Sequence, residues 1–556
     1  MLKRVSFSGG VHIADRRRAR KSPTVSFNAP VLLKIRFTEK HILKVGTGDA
    51  VRAGQLLANV NDRSAVCPLY SPVSGNVVGI KHESDMFGFP ADFIIIANDG
   101  LDNTHEDIVP FTHSVKELQG EDIINIIEYF GIPDTDGLPL SAKLHKALNT
   151  EIKALIIGTG DSEGYITADE RLLYEHPDRV VNGIKLLMYA LKIRSAVIAV
   201  EEDKIEAINR LESEIDDPKM ITVRLMKAKF PQCSGRTLVS ALYGEHFPPD
   251  RSLAENGYVT LSAQTVEDIF LAFYHGMPYT GRRVTVCGDG IKKSKNIQLP
   301  IGTPVKDVIA FCGGLNSKCQ TVIAGGAMKG RVIINQDAPV ESSTFAVIAL
   351  SDAETVAHDR INNCIGCGRC VSSCPMDLMP NYIISAAKRG DEKSCAALNI
   401  TSCTLCGCCS FVCPSQIPHI DIIGRMLEEN ADELAALSKK ETRNDMSGKS
   451  YLDLLIEKIK GKSSEKDTGE SDGKAGTVTK SESEYSHASG PSDDTDKYAR
   501  SETSRDDKAG GDDDEYEDAA DMNIPRDNYE INGVEDEYHG EDADIDEQDG
   551  GEDEKQ

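Results

Sequence analysis

The sequence predicts a multidomain α/β protein that carries a cysteine-rich domain and ends in a disordered acidic tail, and three observations lead there. Helix-period and strand-period patterns alternate across residues 119–230, the mark of a largely parallel sheet with helices on its faces. On either side, residues 31–80 and 283–350 hold short β-branched runs broken by glycine and proline. Ten of the fifteen cysteines lie between residues 364 and 413, and from about Gly461 onward large apolar residues become scarce.

At 556 residues the chain has room for roughly three or four domains. Val45–Ala58 and Ser71–Ile80 place glycines between β-branched pairs, which favours hairpins. These two runs resemble the half-repeats of a biotinyl/lipoyl-like barrel-sandwich. A carrier of that kind has an attachment lysine at the hairpin tip between the halves. Asn59–Tyr70 contains none, so a structural module is expected. In the middle, Ile123–Phe130 has helical spacing, Ala154–Ile157 is a buried-strand run and Val180–Leu191 is helical again. Ala196–Val200, Ile205–Leu211 and Ile221–Leu225 continue as strand, helix and strand. Further on, Arg283–Val286, Ile297–Pro300 and Val322–Ala324 read as strands around a short helix at Pro304–Phe311, begun by the turn at Gly302. Ile420–Leu437 is helical. A second amphipathic stretch puts Leu452, Leu455, Ile456 and Ile459 on one face beside Lys458, Lys460 and Lys462. It reads as a capping helix, or as a helix that touches a membrane surface or a partner.

The net charge of −27 is unevenly spread: residues 501–556 hold 24 Asp and Glu against 4 Lys and Arg. Such a segment buries too little apolar surface to offset its ordering entropy, so disorder is expected. The rest of the chain is only mildly acidic and offers no basic face for nucleic acid. No apolar run approaches the roughly 18 residues of a membrane span. The basic residues Lys3, Arg4 and Arg16–Arg18 precede no apolar core of a secretory signal. Clustered cysteines without such a signal point to metal ligands in a reducing cytoplasm rather than to disulfides.

The cysteines fall into two runs. The first is Cys364, Cys367, Cys370 and Cys374 followed by Pro375; the second is Cys403, Cys406, Cys409 and Cys413 followed by Pro414. Each has the C-x2-C-x2-C-x3-C-P spacing of bacterial two-cluster ferredoxins. Three thiolates two residues apart wrap one face of a [4Fe–4S] cubane, and the fourth, beyond a helical turn, reaches the other cubane. One cluster is then expected on Cys364, Cys367, Cys370 and Cys413, the other on Cys403, Cys406, Cys409 and Cys374. Gly366, Gly368 and Gly407 let backbone amides approach the sulfurs. Structural zinc, the competing chemistry, uses CxxC pairs and needs no Cys-Pro ending. Cys408 and Cys395 fall outside the spacing and read as spare thiols. Cys67, Cys233, Cys287, Cys312 and Cys319 are isolated and read as small buried hydrophobes. His419 reads as a surface or packing residue.

With these motifs in place, the chain from about Phe7 to Ile420 resembles the RnfC family, whose members belong to the Rnf complex, the membrane-associated ferredoxin:NAD oxidoreductase of bacteria. The resemblance rests on Phe7–His12, the barrel-sandwich runs, Gly302–Val305 with Cys312–Gly314, Gly325–Met328 and both cysteine runs. It implies a barrel-sandwich module, a Rossmann-like α/β domain related to the flavoprotein of respiratory complex I, a β-grasp (SLBB) domain, a two-cluster ferredoxin domain and a disordered acidic tail. The boundaries that follow are 1–100 for the N-terminal segment and barrel-sandwich, 101–280 for the Rossmann-like domain and 281–350 for the β-grasp domain. The cluster domain takes 351–440, and the amphipathic helix and tail take 441–556.

The resemblance also implies an electron-transfer protein, peripheral on the cytoplasmic face of the cell membrane. Its partners there are other Rnf-type membrane subunits, which translocate ions, and a ferredoxin-like electron partner. In the family the middle domain binds FMN and NAD(H), and Lys143, Asp161 and Glu163 are the cofactor-binding residues that carry over. Both flavin signatures depart from the family pattern. Residues 131–144 keep Gly131, Gly137, Pro139 and Lys143 but run two residues short, and Asp134 and Asp136 bring negative charge where a phosphate would lie. Residues 158–173 keep Asp161, Glu163, Tyr165, Thr167, Asp169 and Arg171 but carry Gly158 and Gly164 in place of asparagine and proline. Phe230–Gln232 keeps an aromatic-Pro-Gln, followed by Cys233 where the family has glycine. Two other readings therefore stay open: a relay or scaffold that binds no nucleotide, and a soluble adaptor that feeds a dedicated reductase.

Overall fold

The computed structural model describes residues 4–437 apart from 61–65, 110–114, 136, 160–162, 233–234, 248–251, 356–360 and 435; the amphipathic stretch at 452–459 and the acidic tail lie outside the described residues. The first strand, β1 (Thr24–Ser26), follows a segment with no long element of its own. Seven short strands then build the barrel-sandwich: β2 (Leu32–Phe37), β3 (His41–Leu43), β4 (Ala50–Val51), β5 (Leu56–Val60), β6 (Leu69–Tyr70), β7 (Gly75–Ser84) and β8 (Pro90–Asn98). They form antiparallel sheets in the orders β2-β8-β7-β4 and β3-β5-β6. Alternate residues point inward, so Leu33, Ile35, Val77, Ile94 and Ile96 meet Val51 and Leu57 in a shared core.

The middle domain alternates as its periodicity predicts. Its elements are α1 (Gly120–Tyr129), α2 (Leu140–Leu148), β9 (Ala154–Gly158), α3 (Ala168–Glu175), α4 (Pro177–Ala190), β10 (Ala196–Glu201), α5 (Ile205–Glu214), β11 (Ile221–Met226), α6 (Gly235–Tyr243), β12 (Tyr258–Ser262) and α7 (Ala263–His275). All neighbours in the sheet β11-β10-β9-β12 are parallel. Every residue of β9 is buried, as befits a central strand covered on both faces. The strand order reverses between β9 and β12, and in such sheets ligands bind outside the carboxyl ends of the strands at that reversal.

The third domain comprises β13 (Gly281–Cys287), β14 (Lys295–Pro300), α8 (Val305–Phe311), β15 (Cys319–Ala324), β16 (Arg331–Val332) and β17 (Ala346–Ser351). Its sheet runs β1-β14-β13-β17-β15-β16, so a strand from the N-terminal segment supplies the edge, parallel to β14. The N-terminal segment thus gives Thr24–Ser26 to the β-grasp sheet before the barrel-sandwich strands begin at Leu32. A three-residue strand has too little local pattern to announce which sheet it joins.

The fourth domain is helical: α9 (Arg369–Ser372), α10 (Pro380–Ala387), α11 (Glu392–Ala397), α12 (Cys408–Phe411) and α13 (His419–Glu429). Ile383, Ile384, Ile400, Ile423 and Met426 form its core together with Cys395. Cys395 and His419 are buried packing residues. Among the described residues no helix is long and apolar enough to cross a membrane.

Candidate functional site

The two cysteine runs adopt the same local form. In each, a loop with the first two cysteines turns into a one-turn helix, α9 or α12, that carries the third. Gly368 and Gly407 precede these helices in the left-handed region, at φ +72° and +83°, where a side chain would be strained. Tertiary packing then brings the end of each run toward the other run. Cys374 lies within electrostatic reach of the second run: burial pushes its thiol up to about 11, and Cys406 adds to the shift. Cys403 and Cys409 are each raised by burial and in turn feel Cys406 and Cys374. In the other direction, Ser415, two residues past Cys413, is joined to the start of the first run. Asn362 N donates to Ser415 O at 3.0 Å, and Ser415 Oγ donates to Asn363 O at 2.9 Å.

The two loops meet very different surroundings. Residues 361–369 are exposed throughout, with Ile365 71% and Ile361 55% accessible. The second loop is covered. Cys406 and Cys408 pack with Val11 and Phe230, flanked by Ile13, Met328 and Val412. A Cβ on Gly407 would stand 2.8 Å from Met328 O. The Phe7–His12 motif completes the cover: Gly10 N donates to Ser373 O at 2.8 Å, and a Cβ on Gly9 would overlap Cys374 O. Val11 and Phe230 exchange backbone hydrogen bonds, each 2.9 Å. Two motifs that the sequence marks without a role, Phe7–His12 and Phe230–Gln232, thus form the seat of the cluster domain.

The residues of the nucleotide-type site go to separate partners. Lys143, on α2, pairs with the Asp134 carboxylate and donates to Thr260 O at 3.1 Å. Glu163 is 4% exposed, accepts from Met328 N at 2.9 Å, and lies so close to Gly326 that a Cβ there would overlap the carboxylate. Burial raises its pKa to about 7, against the opposing effects of the Met328 N–H and Lys329. Asp136, Asp161 and Cys233 lie outside the described residues. Tyr165, Thr167 and Asp169, also kept from the second flavin signature, serve as joints. Tyr165 donates to Glu354 at 3.0 Å, Thr167 Oγ1 to Asn296 at 2.8 Å and Gln264 to Asp169 at 2.7 Å, whereas Arg171 pairs with Glu175 inside α3 at 2.7 Å. Sequence reasoning missed this use because Glu354 and Asn296 lie more than a hundred residues away.

Four family models match the chain: an RnfC barrel sandwich hybrid domain over residues 5–101, a Nuo51 FMN-binding domain over 132–271, an SLBB domain over 283–332 and a 4Fe-4S dicluster domain over 347–417. The dicluster match spans both cysteine runs, and the all-thiol donor set suits iron–sulfur clusters. Among curated proteins, the C subunit of the proton-translocating ferredoxin:NAD(+) oxidoreductase complex of Clostridium ljungdahlii is 32% identical over 69% of this chain and 84% of its own length. Its counterpart in the Na(+)-translocating complex of Acetobacterium woodii is 29% identical over 72% of this chain and 91% of its own length. The counterpart in the ion-translocating oxidoreductase complex of Rhodobacter capsulatus is 29% identical over 72% and 78%. A chain of a NAD+-reducing [NiFe]-hydrogenase overlaps 60% of this chain and 65% of its own at 13% identity and a TM-score of 0.40, a likeness without weight for function. By its domain series and by its relatives, the chain belongs to the RnfC family of Rnf-type ferredoxin:NAD+ oxidoreductase complexes.

Proposed function

We propose that this chain is the electron-carrying member of an Rnf-type complex, docked at the cytoplasmic face of the cell membrane against subunits that translocate ions. The observation that supports the reading is the packing of the two runs end to end, with Cys374 near enough to feel Cys406 and Ser415, just past Cys413, bonded to the start of the first run. When bound, two [4Fe–4S] clusters supply one-electron chemistry. Cys364, Cys367, Cys370 and Cys413 hold the outer one, and Cys403, Cys406, Cys409 and Cys374 the inner one. The covered second loop shields the inner position from water. The open loop at 361–369, with Ile361 and Ile365 at its surface, gives a ferredoxin-like redox partner access to the outer position.

The test is metal analysis and electron paramagnetic resonance on the full chain purified without oxygen. About eight iron atoms per chain are expected, since each cubane holds four. Cys374→Ser should alter the signal of the inner cluster, the same signal that Cys403→Ser alters, and leave intact the signal that Cys364→Ser alters. Zinc in place of iron would overturn the reading. Membrane fractionation tests the docking: recovery with the ion-translocating subunits is expected, and recovery wholly without membranes would favour a soluble adaptor.

A further inference from the structure

We infer that this chain binds no FMN, because Asp134 supplies the anion that a phosphate would otherwise bring to Lys143. The inference rests on the electron-carrying reading above. The matched FMN-binding region begins at residue 132, and a loop leading into a helix is where such folds bind anions, through free backbone amides and the positive end of the helix. Here the loop at 131–139 leads into α2, and five of its described amides serve the chain itself. Gly131 N donates to Glu128 O, Ile132 N to Ile127 O, Asp134 N to Leu138 O and Gly137 N to Asp134 O. Thr135 N donates to the Asp134 carboxylate at 2.9 Å, and the first helical amide, Leu140 N, turns back to Ile132 O at 3.1 Å. Pro133 and Pro139 have no N–H to offer.

Charge and space point the same way. Asp134 is 7% exposed and in contact with the Lys143 ammonium, so the cation is neutralised from within and a phosphate would meet a fixed carboxylate beside it. The outer face of the loop is closed by the barrel-sandwich. Tyr70 OH donates to Tyr129 O, and a Cβ on Gly131 would lie 2.7 Å from Pro68 O. The shortened loop thus commits five of its amides to the chain's own carbonyls and the Asp134 carboxylate. The reducing equivalents of this chain then come from a one-electron protein donor, which is oxidised by one electron for each cluster it reduces, and not from NADH through a flavin of its own.

The experiment uses the full chain with its clusters. FMN is titrated against it by fluorescence, and retained flavin is measured after desalting; cluster absorbance is then followed with NADH and, separately, with dithionite. No saturable quenching, no retained flavin, and bleaching by dithionite but not by NADH are expected. Saturable binding of about one FMN per chain would overturn the inference and leave the cluster reading standing. Absence of iron, or clusters that dithionite cannot bleach, would sink the cluster reading and leave the flavin result to stand by itself. A double-mutant cycle tests the role of Asp134. Asp134→Asn and Lys143→Gln should each lower the melting temperature, and D134N/K143Q should lower it by no more than the worse single change. Additive losses would show that the two side chains are not partners and would overturn the assignment of Asp134.

Discussion

At the scale of single residues, Glu163 carries the clearest consequence. Its carboxyl is held in the seam between the middle domain and the Gly325–Met328 turn, and burial lifts its pKa from 4.5 to about 7. The unfolded chain releases that proton near the ordinary value, so the folded state binds it more tightly throughout the interval. Stability should therefore fall as pH rises from 4.5 to 7, by about 3 kcal/mol from this one group. Glu163→Gln stays neutral and can still accept from Met328 N. Unfolding measured at about pH 5 and pH 8 should show the variant gaining on the native protein by about that amount at the higher pH. An equal difference at both pH values would rule out a titrating Glu163.

At the scale of elements, the N-terminal segment does more than its basic composition suggests. Arg16 reaches Glu354 at 3.1 Å, Arg17 reaches the fully buried Glu201 at 3.1 Å, and Arg20 reaches Glu170 at 2.7 Å. Further along, Asn296 Nδ2 donates to Ala19 O at 3.0 Å before Thr24–Ser26 joins β14. One strap thus touches the cluster domain at Gly9, the middle domain at Arg17 and the β-grasp domain at β1. Gly9 has φ +71° and no room for a Cβ against Cys374 O. Gly9→Ala should loosen the seat of the cluster domain at a cost of about 1–3 kcal/mol, the usual penalty of overpacking. Limited proteolysis that releases the cluster domain earlier than in the native chain is the expected readout, with iron content unchanged.

For the whole molecule, the middle and β-grasp domains are locked by a buried ion pair. Arg283 on β13 donates to Glu267 on α7 at 2.6 Å, and Arg179 adds a contact to Glu267 at 3.1 Å. Glu267→Gln leaves Arg283 charged and enclosed, and should cost about 3–5 kcal/mol, seen as a lower melting temperature. Replacing both residues by well-packed apolar ones should restore most of the loss, since an ion pair is no better than good packing once the charges are gone. At this scale the molecule also has direction: one cluster loop is walled in by three other parts of the chain, and the other faces outward. Ile365→Asp, on the open loop, should weaken association with a ferredoxin-like partner by tens of fold and leave iron content and melting temperature unchanged. Unchanged association would place the partner's contact elsewhere.

The sequence by itself determined the parts: the parallel α/β domain, the β-rich modules and the two cluster loops. Each is written in contiguous residues, as helical or strand period or as cysteine spacing, and local chemistry is enough to read it. The ranges Ala154–Ile157 and Ala196–Val200 were legible because an enclosed strand must be apolar along its length, and Ile221–Leu225, at the sheet edge, because its apolar residues alternate with Thr222 and Arg224. Only the tertiary structure decided how the parts are used. It turned Asp134 from an intruding charge into the partner of Lys143, and Tyr165, Thr167 and Asp169 into a set of joints. It also sent Thr24–Ser26 to a sheet whose other strands begin at residue 281, and left one cysteine loop covered and the other exposed. These outcomes depend on pairings such as Arg16 with Glu354, where two complementary side chains are brought together by the fold across hundreds of residues, and no local period or spacing encodes which partner will arrive.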